Sequence, residues 1–514
     1  MHIARTLDAS VERYPNHTAL VFEDRRWTYR EWRNRVRRFA QALSDLGVRP
    51  GDRVAFYVST SENSVTTYFA CQVIGAVAVP LNFRLSPGEA AYVIKDSGAR
   101  VLVYGRHLID NTLKIAAQVR SAHDYICCAY DAKNVPDGHL HFETLAEETE
   151  DRDEPRAIPG GADISALVYT SGTTGRPKGV IHTHANDIAI AMNCVMEYGL
   201  THGDKALHIA PLYHVGGMQA YFLPHLMVGG TNVVLGRYEA EKTLETIASE
   251  RITTLFAVPT QIQEMLFNPR FKEIDTSSLR LITTGGAAIA SATMQRVIEE
   301  FCPNIFNGYG MTEASLTLVL HPEDALRKLG SCGQPTLISE CRVIEPGADT
   351  APSATVPAGE VGQLIVRGPQ AMTGYWNNPF ETSKKLRAGW IYTGDLFSVD
   401  EDGFYTFCGR ADDMIGSGGE NIYPREVEEI LYRCPGVREA AVIGLPDEKW
   451  GQIVAAYVVA ADPGLKGEHI DAFCKASDDL APYKRPKKYV FLDALPTNPS
   501  GKVLKRELLA SATA

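Results

Sequence analysis

Apolar positions near the start of the chain follow two rhythms. Trp32, Val36, Phe39, Leu43 and Leu46 recur at alternating steps of four and three, which is one face of an amphipathic helix. Thr28 and Glu31 have capping-box spacing ahead of that face, and Pro50-Gly51-Asp52 breaks it. Residues 54–58 are then continuously apolar and predict a buried strand. A second helical stretch ends near Gly75, residues 76–80 follow it, and residues 101–104 form another short apolar run. Strand alternating with helix predicts α/β layers with parallel strands. The pattern resumes at residues 164–168, with further strands expected at 206–209, 232–235, 254–258 and 279–283. Small or polar residues close several of these segments, at 211–214, 285–288 and 308–313. Open α/β sheets gather ligands at the carboxyl ends of their strands, so these segments are candidates for one shared site.

From about Gly330 the texture changes to short strands and turns, at 364–367 and 397–407, the latter turning at Asp402-Gly403. Beyond Arg410 a helix is expected from Pro424 to Arg433, strands at 440–443 and 455–459, and a helix near 469–477. The expected fold is therefore α/β: a large N-terminal domain of layered sheets and helices with a β-rich subdomain, then a small α+β C-terminal domain. Residues 147–161 are acidic and carry Pro and Gly, and read as a solvated connector between two α/β halves.

Composition narrows this only a little. At 514 residues, two or more domains are expected. A net charge of −11 gives no support for a nucleic-acid partner. No apolar run approaches the length of a membrane span, and the first residues lack the apolar core of a signal peptide. Ten cysteines without a C-x-x-C pair point to free thiols in a reducing cytoplasm.

The chemistry concentrates in YTSGTTGRPKG, residues 169–179. A buried strand runs into three hydroxyls (Ser171, Thr173, Thr174), three glycines (Gly172, Gly175, Gly179) and Lys178. Glycine lets backbone N–H groups turn toward an anion, hydroxyls add donors, and lysine adds a point charge, which suits a polyphosphate. It is not a Walker A loop, because Pro177 stands where that motif needs glycine. Further loaded segments are Tyr309-Gly310-Met311-Thr312-Glu313, Asp395 after Gly394, Arg410 before Asp412 and Asp413, a glycine loop at 416–422, and Lys502 behind Pro499-Ser500-Gly501. A carboxylate able to hold Mg²⁺, a polyphosphate loop and carboxylates able to accept from ribose hydroxyls make a coherent ATP site. His182 and His184, with no carboxylate or cysteine nearby in sequence, make a poor metal pair and read as a helix start behind the loop.

In this order the motifs resemble the adenylate-forming superfamily of acyl-CoA synthetases, aryl-CoA ligases, peptide-synthetase adenylation domains and luciferases, over residues 28–508. The resemblance implies an N-terminal domain over residues 1–411, a C-terminal lid over 412–514, and a hinge at Asp412. It implies that Thr170, Ser171, Gly172, Thr173, Thr174, Gly175 and Lys178 grip the β- and γ-phosphates. Thr312 would contact the α-phosphate and Glu313 the Mg²⁺, with Gly286, Ala287, Ala288 and Tyr309 flanking adenine. Asp395 and Arg410 would hold the ribose, and Lys502 would bridge the acyl carboxylate and ATP. His214 would border and gate an acyl pocket lined by Val215, Gly216, Gly217, Gly308 and Gly310. Small residues there imply room, and the absence of an evident cation implies a hydrophobic acid.

The C-terminal segments are similar to those of bacterial aryl-CoA ligases of the 4-chlorobenzoate and feruloyl types. That similarity puts Arg84, Arg485 and Lys487 at coenzyme A phosphates, Trp450 and Tyr483 at its adenine, and Gly418 and Gly419 along a thiol tunnel. The implied activity is an ATP- and Mg²⁺-dependent carboxylic acid:CoA ligase acting through an acyl-AMP on an aromatic acid of the benzoate or cinnamate type. Alternatives are a medium- or long-chain fatty acyl-CoA synthetase, an adenylation enzyme that loads a carrier protein, and a luciferase-like oxygenase. The implied setting is cytoplasmic, with a homodimer as one possible assembly.

Overall fold

The structure is a computed structural model that describes residues 2–129, 131–152, 158–170, 176–347, 350–498 and 502–513. Among these residues the strands form four sheets. The helix read from the four-and-three spacing is Tyr29–Asp45, with both halves of the Thr28/Glu31 capping box made. Its apolar face is fully buried at Trp32, Val36, Phe39 and Leu43, and the Trp32 indole donates to Thr66 Oγ1 at 3.0 Å. Burying four such side chains contributes roughly 1.5–3 kcal/mol each, which outweighs the helix's modest intrinsic propensity.

Two large sheets carry the N-terminal part. One has eight strands, with Arg53–Tyr57, Val77–Pro80 and Val101–Gly105 in parallel at its centre. The other has nine, and Lys205–His208, Thr231–Val234, Thr254–Phe256, Leu281–Gly285 and Ile305–Met311 run parallel within it. The parallel strands expected from the apolar runs are thus present, with ends shifted by at most two residues.

The two halves are not consecutive units, however. Thr18–Phe22, from the chain's start, joins the nine-stranded sheet beside Thr231–Val234, pairing Leu20 with Asn232. Gly374–Tyr375, from the β-rich region, adds to the eight-stranded sheet, pairing Tyr375 with Val180. Strand pairing between residues about two hundred positions apart leaves no periodic trace, so the interlock was invisible in the apolar pattern.

The acidic stretch is also more than a solvated connector. Its first residues end the helix Phe142–Glu148, and its carboxylates meet cations of the first long helix. Glu147 lies 3.3 Å from Arg35, Asp151 2.7 Å from Arg37, and Arg152 pairs with Asp45 at 2.9 Å. Arg35 is itself buried, bound to Glu62 at 2.7 Å and Glu143 at 2.8 Å. Residues 153–157 of the stretch lie outside the described residues.

The β-rich region forms a five-stranded antiparallel sheet, in which Trp390–Val399 and Tyr405–Arg410 turn through Gly403 at φ +81°. A fourth sheet takes strands only from Ile415 onward, covered by the helices Pro424–Arg433 and Gly467–Ala476. Among the described residues no helix is long and apolar enough to cross a membrane.

Candidate active site

A cavity of about 620 Å³ opens where the nine-stranded sheet, the β-rich sheet and the C-terminal unit meet. The stretch read as a phosphate grip is flanked by the antiparallel strands Ile164–Thr170 and Lys178–Thr183, whose pairing reaches Thr170 with Lys178. Thr170 and Lys178 line the cavity; Ser171, Gly172, Thr173, Thr174 and Gly175 lie outside the described residues. Lys178 Nζ is 3.0 Å from Glu381 Oε2 and 4.9 Å from the Tyr375 ring centroid.

The remaining nucleotide residues of the sequence reading converge on the same wall. Gly286, Ala287 and Ala288 follow the strand Leu281–Gly285, and Gly286 has φ +81°, which lets the chain turn away at the strand's carboxyl end. The Tyr309 hydroxyl donates to Asp395 Oδ2 at 2.6 Å, and Arg410 Nε stands 3.3 Å from Asp395 Oδ1. Burial, then the Asp395 charge, holds the Tyr309 hydroxyl far above its usual pKa, so it is a donor at any ordinary pH. Glu313 is buried and accepts from the Tyr375 hydroxyl at 2.6 Å.

Behind Thr312 stands a relay that the motif reading passed over. The Thr312 carbonyl faces His182 Nε2 at 3.0 Å, and His182 Nδ1 faces Asp187 Oδ1 at 3.0 Å. Asp187 Oδ2 also accepts from Ser165 at 2.7 Å and Tyr68 at 3.2 Å. Asp187 is the carboxylate near His182 that the sequence reading did not count, five residues further on. His182 lies within the strand Lys178–Thr183, whereas His184 opens the helix His184–Tyr198 as expected.

Lys502 reaches the cavity from the C-terminal unit, more than three hundred residues from Lys178. It is tied to Asn498 by two bonds: Asn498 N donates to the Lys502 carbonyl and Lys502 N to Asn498 Oδ1, both at 2.9 Å. Desolvation, then Arg410, lowers its ammonium pKa, while Asp395 and Asp413 oppose the shift. The unit is held in this orientation by its first helix. Arg425 Nη2 donates to the Ile289 carbonyl at 2.8 Å, and Glu429 Oε1 accepts from Ser291 N at 3.2 Å.

The other end of the cavity differs in kind. Val215, Gly216, Gly217, Gly308 and Gly310 line it as expected, joined by Ala220, Phe256 and Leu316. A Cβ on Gly216 would touch the Phe256 ring at 3.5 Å, and one on Gly308 would come within 2.6 Å of Leu316 Cδ1. Tyr221 forms part of the floor and is bolted in place. Its hydroxyl donates to Thr254 Oγ1 at 3.0 Å, Thr254 to His225 Nε2 at 2.9 Å, and His225 Nδ1 to the Tyr221 carbonyl at 2.7 Å. Burial pushes His225 down to about 4, which keeps it in the neutral form this chain of donors needs. His214 lines the wall with its ring 4.5 Å from that of Tyr213, and burial lowers it to about 4 as well.

The residues read as coenzyme A contacts do not line this cavity. Gly418 and Gly419 turn at φ +61° and +88°, with Trp450 packed so closely on Gly418 that a Cβ there would lie 2.8 Å from its ring. Trp450 and Tyr483 are about half exposed. Arg485 is 2.9 Å from Asp471, and the Lys487 backbone N–H donates to Val454. Arg84 lies on the N-terminal part, 5.7 Å from the Phe83 ring, which in turn packs on Tyr213. Asp412 lies in the single turn Ala411–Asp413 between the third and fourth sheets.

Comparison with known proteins agrees with this geometry. Residues 7–376 match the AMP-binding enzyme family, and residues 426–502 match the AMP-binding enzyme C-terminal domain. The chain belongs to this family: it is an adenylate-forming, ATP-dependent acid–CoA ligase that works through an acyl-AMP. It is 40% identical to a feruloyl-CoA synthase of an Amycolatopsis species over 96% of both chains. It is 35% identical to a long-chain-fatty-acid–CoA ligase of Mycobacterium tuberculosis, over 94% of this chain and 93% of that one. An anthranilate CoA ligase in complex with anthranoyl-AMP superposes at a TM-score of 0.92, with 29% identity over 100% of this chain and 97% of that one.

Proposed function

We propose that the acid is a hydrophobic aromatic carboxylic acid of the benzoate or cinnamate type. The observation that carries this is the acyl end of the cavity. Its walls are Val215, Ala220, Phe256 and Leu316 with glycine backbone between them, and its Tyr221 floor is locked by the hydrogen-bond chain through Thr254 and His225. Among the described residues, the lysines and arginines that line the cavity stand at its nucleotide and lid end, where Lys178, Lys385, Arg410 and Lys502 surround Glu313 and Asp395. A rigid, uncharged slot favours a flat ring over a flexible chain, whose ordering costs rotamer entropy. The similarity to a feruloyl-CoA synthase supports the aromatic choice over the fatty one.

The reaction divides between the two ends. The substrate carboxylate oxygen attacks the α-phosphorus of ATP, and the bond to pyrophosphate breaks. Charge then builds on the phosphorus oxygens, and Lys502 and Thr312, which both line the cavity, are the groups we assign to stabilise it. Glu313 fits a Mg²⁺ ion that arrives with the triphosphate: it is a hard carboxylate in the cavity wall, oriented by the Tyr375 hydroxyl. Such an ion would neutralise charge on the phosphate oxygens.

In the second step a thiolate attacks the acyl carbon and AMP leaves. Lys502 occupies the cavity in this orientation while Gly418, Gly419 and Trp450 stand outside it, which supports a rotation of residues 412–514 about Asp412 between the steps. The ten cysteines are free thiols, in keeping with a cytoplasmic setting.

A pyrophosphate-release screen tests the substrate class. Benzoates and cinnamates, with CoA present, are expected to turn over at least about tenfold faster than straight-chain acids of eight to sixteen carbons. Faster turnover of the straight-chain series would overturn the aromatic reading.

A further inference from the structure

Lys385 was not among the residues that the sequence motifs brought forward. It closes the short helix Pro379–Lys385 in the β-rich region, and its side chain lines the cavity at the nucleotide end. The charged groups that act on it are Glu313, Asp395, Arg410 and Lys178, which are the groups assigned above to phosphate, metal and ribose. Its ammonium donates to the Thr393 carbonyl at 2.6 Å. Thr393 stands two residues before Asp395, and its own hydroxyl accepts from Asp395 N at 3.0 Å.

The lysines near this wall are not equivalent. Glu381 Oε2 takes Lys178 at 3.0 Å and Glu381 Oε1 takes Lys384 at 3.0 Å. Among the described residues Lys385 has no carboxylate within ion-pair distance, and its one hydrogen bond goes to a neutral carbonyl. An ammonium carries three N–H donors, so two remain for whatever enters the cavity. Desolvation lowers its pKa, while Glu313 and then Asp395 counter that shift; an incoming anion would oppose it further.

We propose that Lys385 is a phosphate-binding residue: its bond to the Thr393 carbonyl fixes the ammonium in the wall, and its free donors hold the nucleotide phosphate next to the ribose. Lys178, already shared with Glu381, is then the weaker phosphate contact of the two. The inference rests on the nucleotide reading of this end of the cavity.

Calorimetric titration of the full chain with ATP, AMP and adenosine tests it, using wild type, Lys385→Met and Lys385→Arg. Removing a charge that meets phosphate should weaken ATP and AMP about tenfold or more in Lys385→Met, leave adenosine within about twofold, and be largely restored in Lys385→Arg. If all three ligands weaken alike, Lys385 only holds the ribose strand and the proposal fails. If ATP binds Lys385→Met as it binds wild type, the proposal also fails. Should Lys385→Met not fold, Lys385→Gln is read against the same three ligands. Absence of ATP binding to wild type would instead overturn the nucleotide reading itself.

Discussion

The two ends of the cavity solve different physical problems. At the nucleotide end, charges are arranged in advance: Tyr309 and Arg410 converge on Asp395, Tyr375 orients Glu313, and Lys385 and Lys502 wait on different parts of the chain. At the acyl end the protein offers shape, with glycine backbone, four apolar side chains and a floor held by Tyr221, Thr254 and His225. Charge can be supplied by a few residue types at fixed positions, whereas shape depends on how every neighbouring side chain packs. A change at one end should therefore leave the other nearly untouched.

The largest expected break of that contrast is Lys502→Ala. Loss of a transition-state cation should slow adenylation by about a hundredfold or more, measured as pyrophosphate release. Thioester formation from supplied acyl-AMP should change by less than about threefold, because the lid would present Gly418 and Trp450 in that step. Equal losses in both half-reactions would remove Lys502 from its role. Asp412→Pro is the complementary variant: a fixed φ at the proposed hinge should harm the thioester step more than adenylation.

Gly308→Val sharpens the other side of the comparison. Its new methyl groups start from a Cβ only 2.6 Å from Leu316 Cδ1, so they take space from the acyl end. We expect kcat/KM for aromatic acids to fall about 10–200-fold, with KM for ATP unchanged. A matching rise in KM for ATP would show that the two ends are mechanically coupled.

An effect of a different kind concerns stability and belongs to buried histidines: His208 and His225, which pack on Tyr221, and His184, which accepts from Ile3 N. His208, at about 3, and His184 and His225, at about 4, are all lowered by burial from 6.5. Below pH 6.5 the unfolded chain binds protons that the folded chain refuses until pH 3–4. Stability is therefore full above pH 6.5 and declines as pH falls toward 4, by up to about 1.4 kcal/mol per pH unit for each histidine. Urea midpoints between pH 7 and 4.5 check this; a flat profile would mean that these imidazoles accept protons without unfolding.

Much of the nucleotide end was legible from residue identity. Glu313, Asp395, Arg410 and Lys502 all stand on one cavity, as their motifs implied. Lys385 was missed because it belongs to none of the motifs and sits at the end of a seven-residue helix beside a second lysine. The His182–Asp187 support of Thr312 was missed because its geometry requires the strands Ile164–Thr170 and Lys178–Thr183 to pair first. At the acyl end the glycines were legible as room, but the Tyr221 floor was not, since Thr254 and His225 come from different elements.

What the sequence determined by itself was the α/β order, the first helix with its cap, and which reactive side chains to look for on one cavity. Each of these depends on spacing along the chain or on a single residue's functional group. Tertiary structure decided the interlocked sheets, the pairing of the acidic stretch with Arg35 and Arg37, the lack of a carboxylate within ion-pair distance of Lys385 among the described residues, and the depth of the acyl slot. The physical reason is that periodicity states which face of an element is apolar, and a motif states which atoms are reactive. Neither states which distant surface that face will meet, and in this protein that meeting sets the room left for the acid.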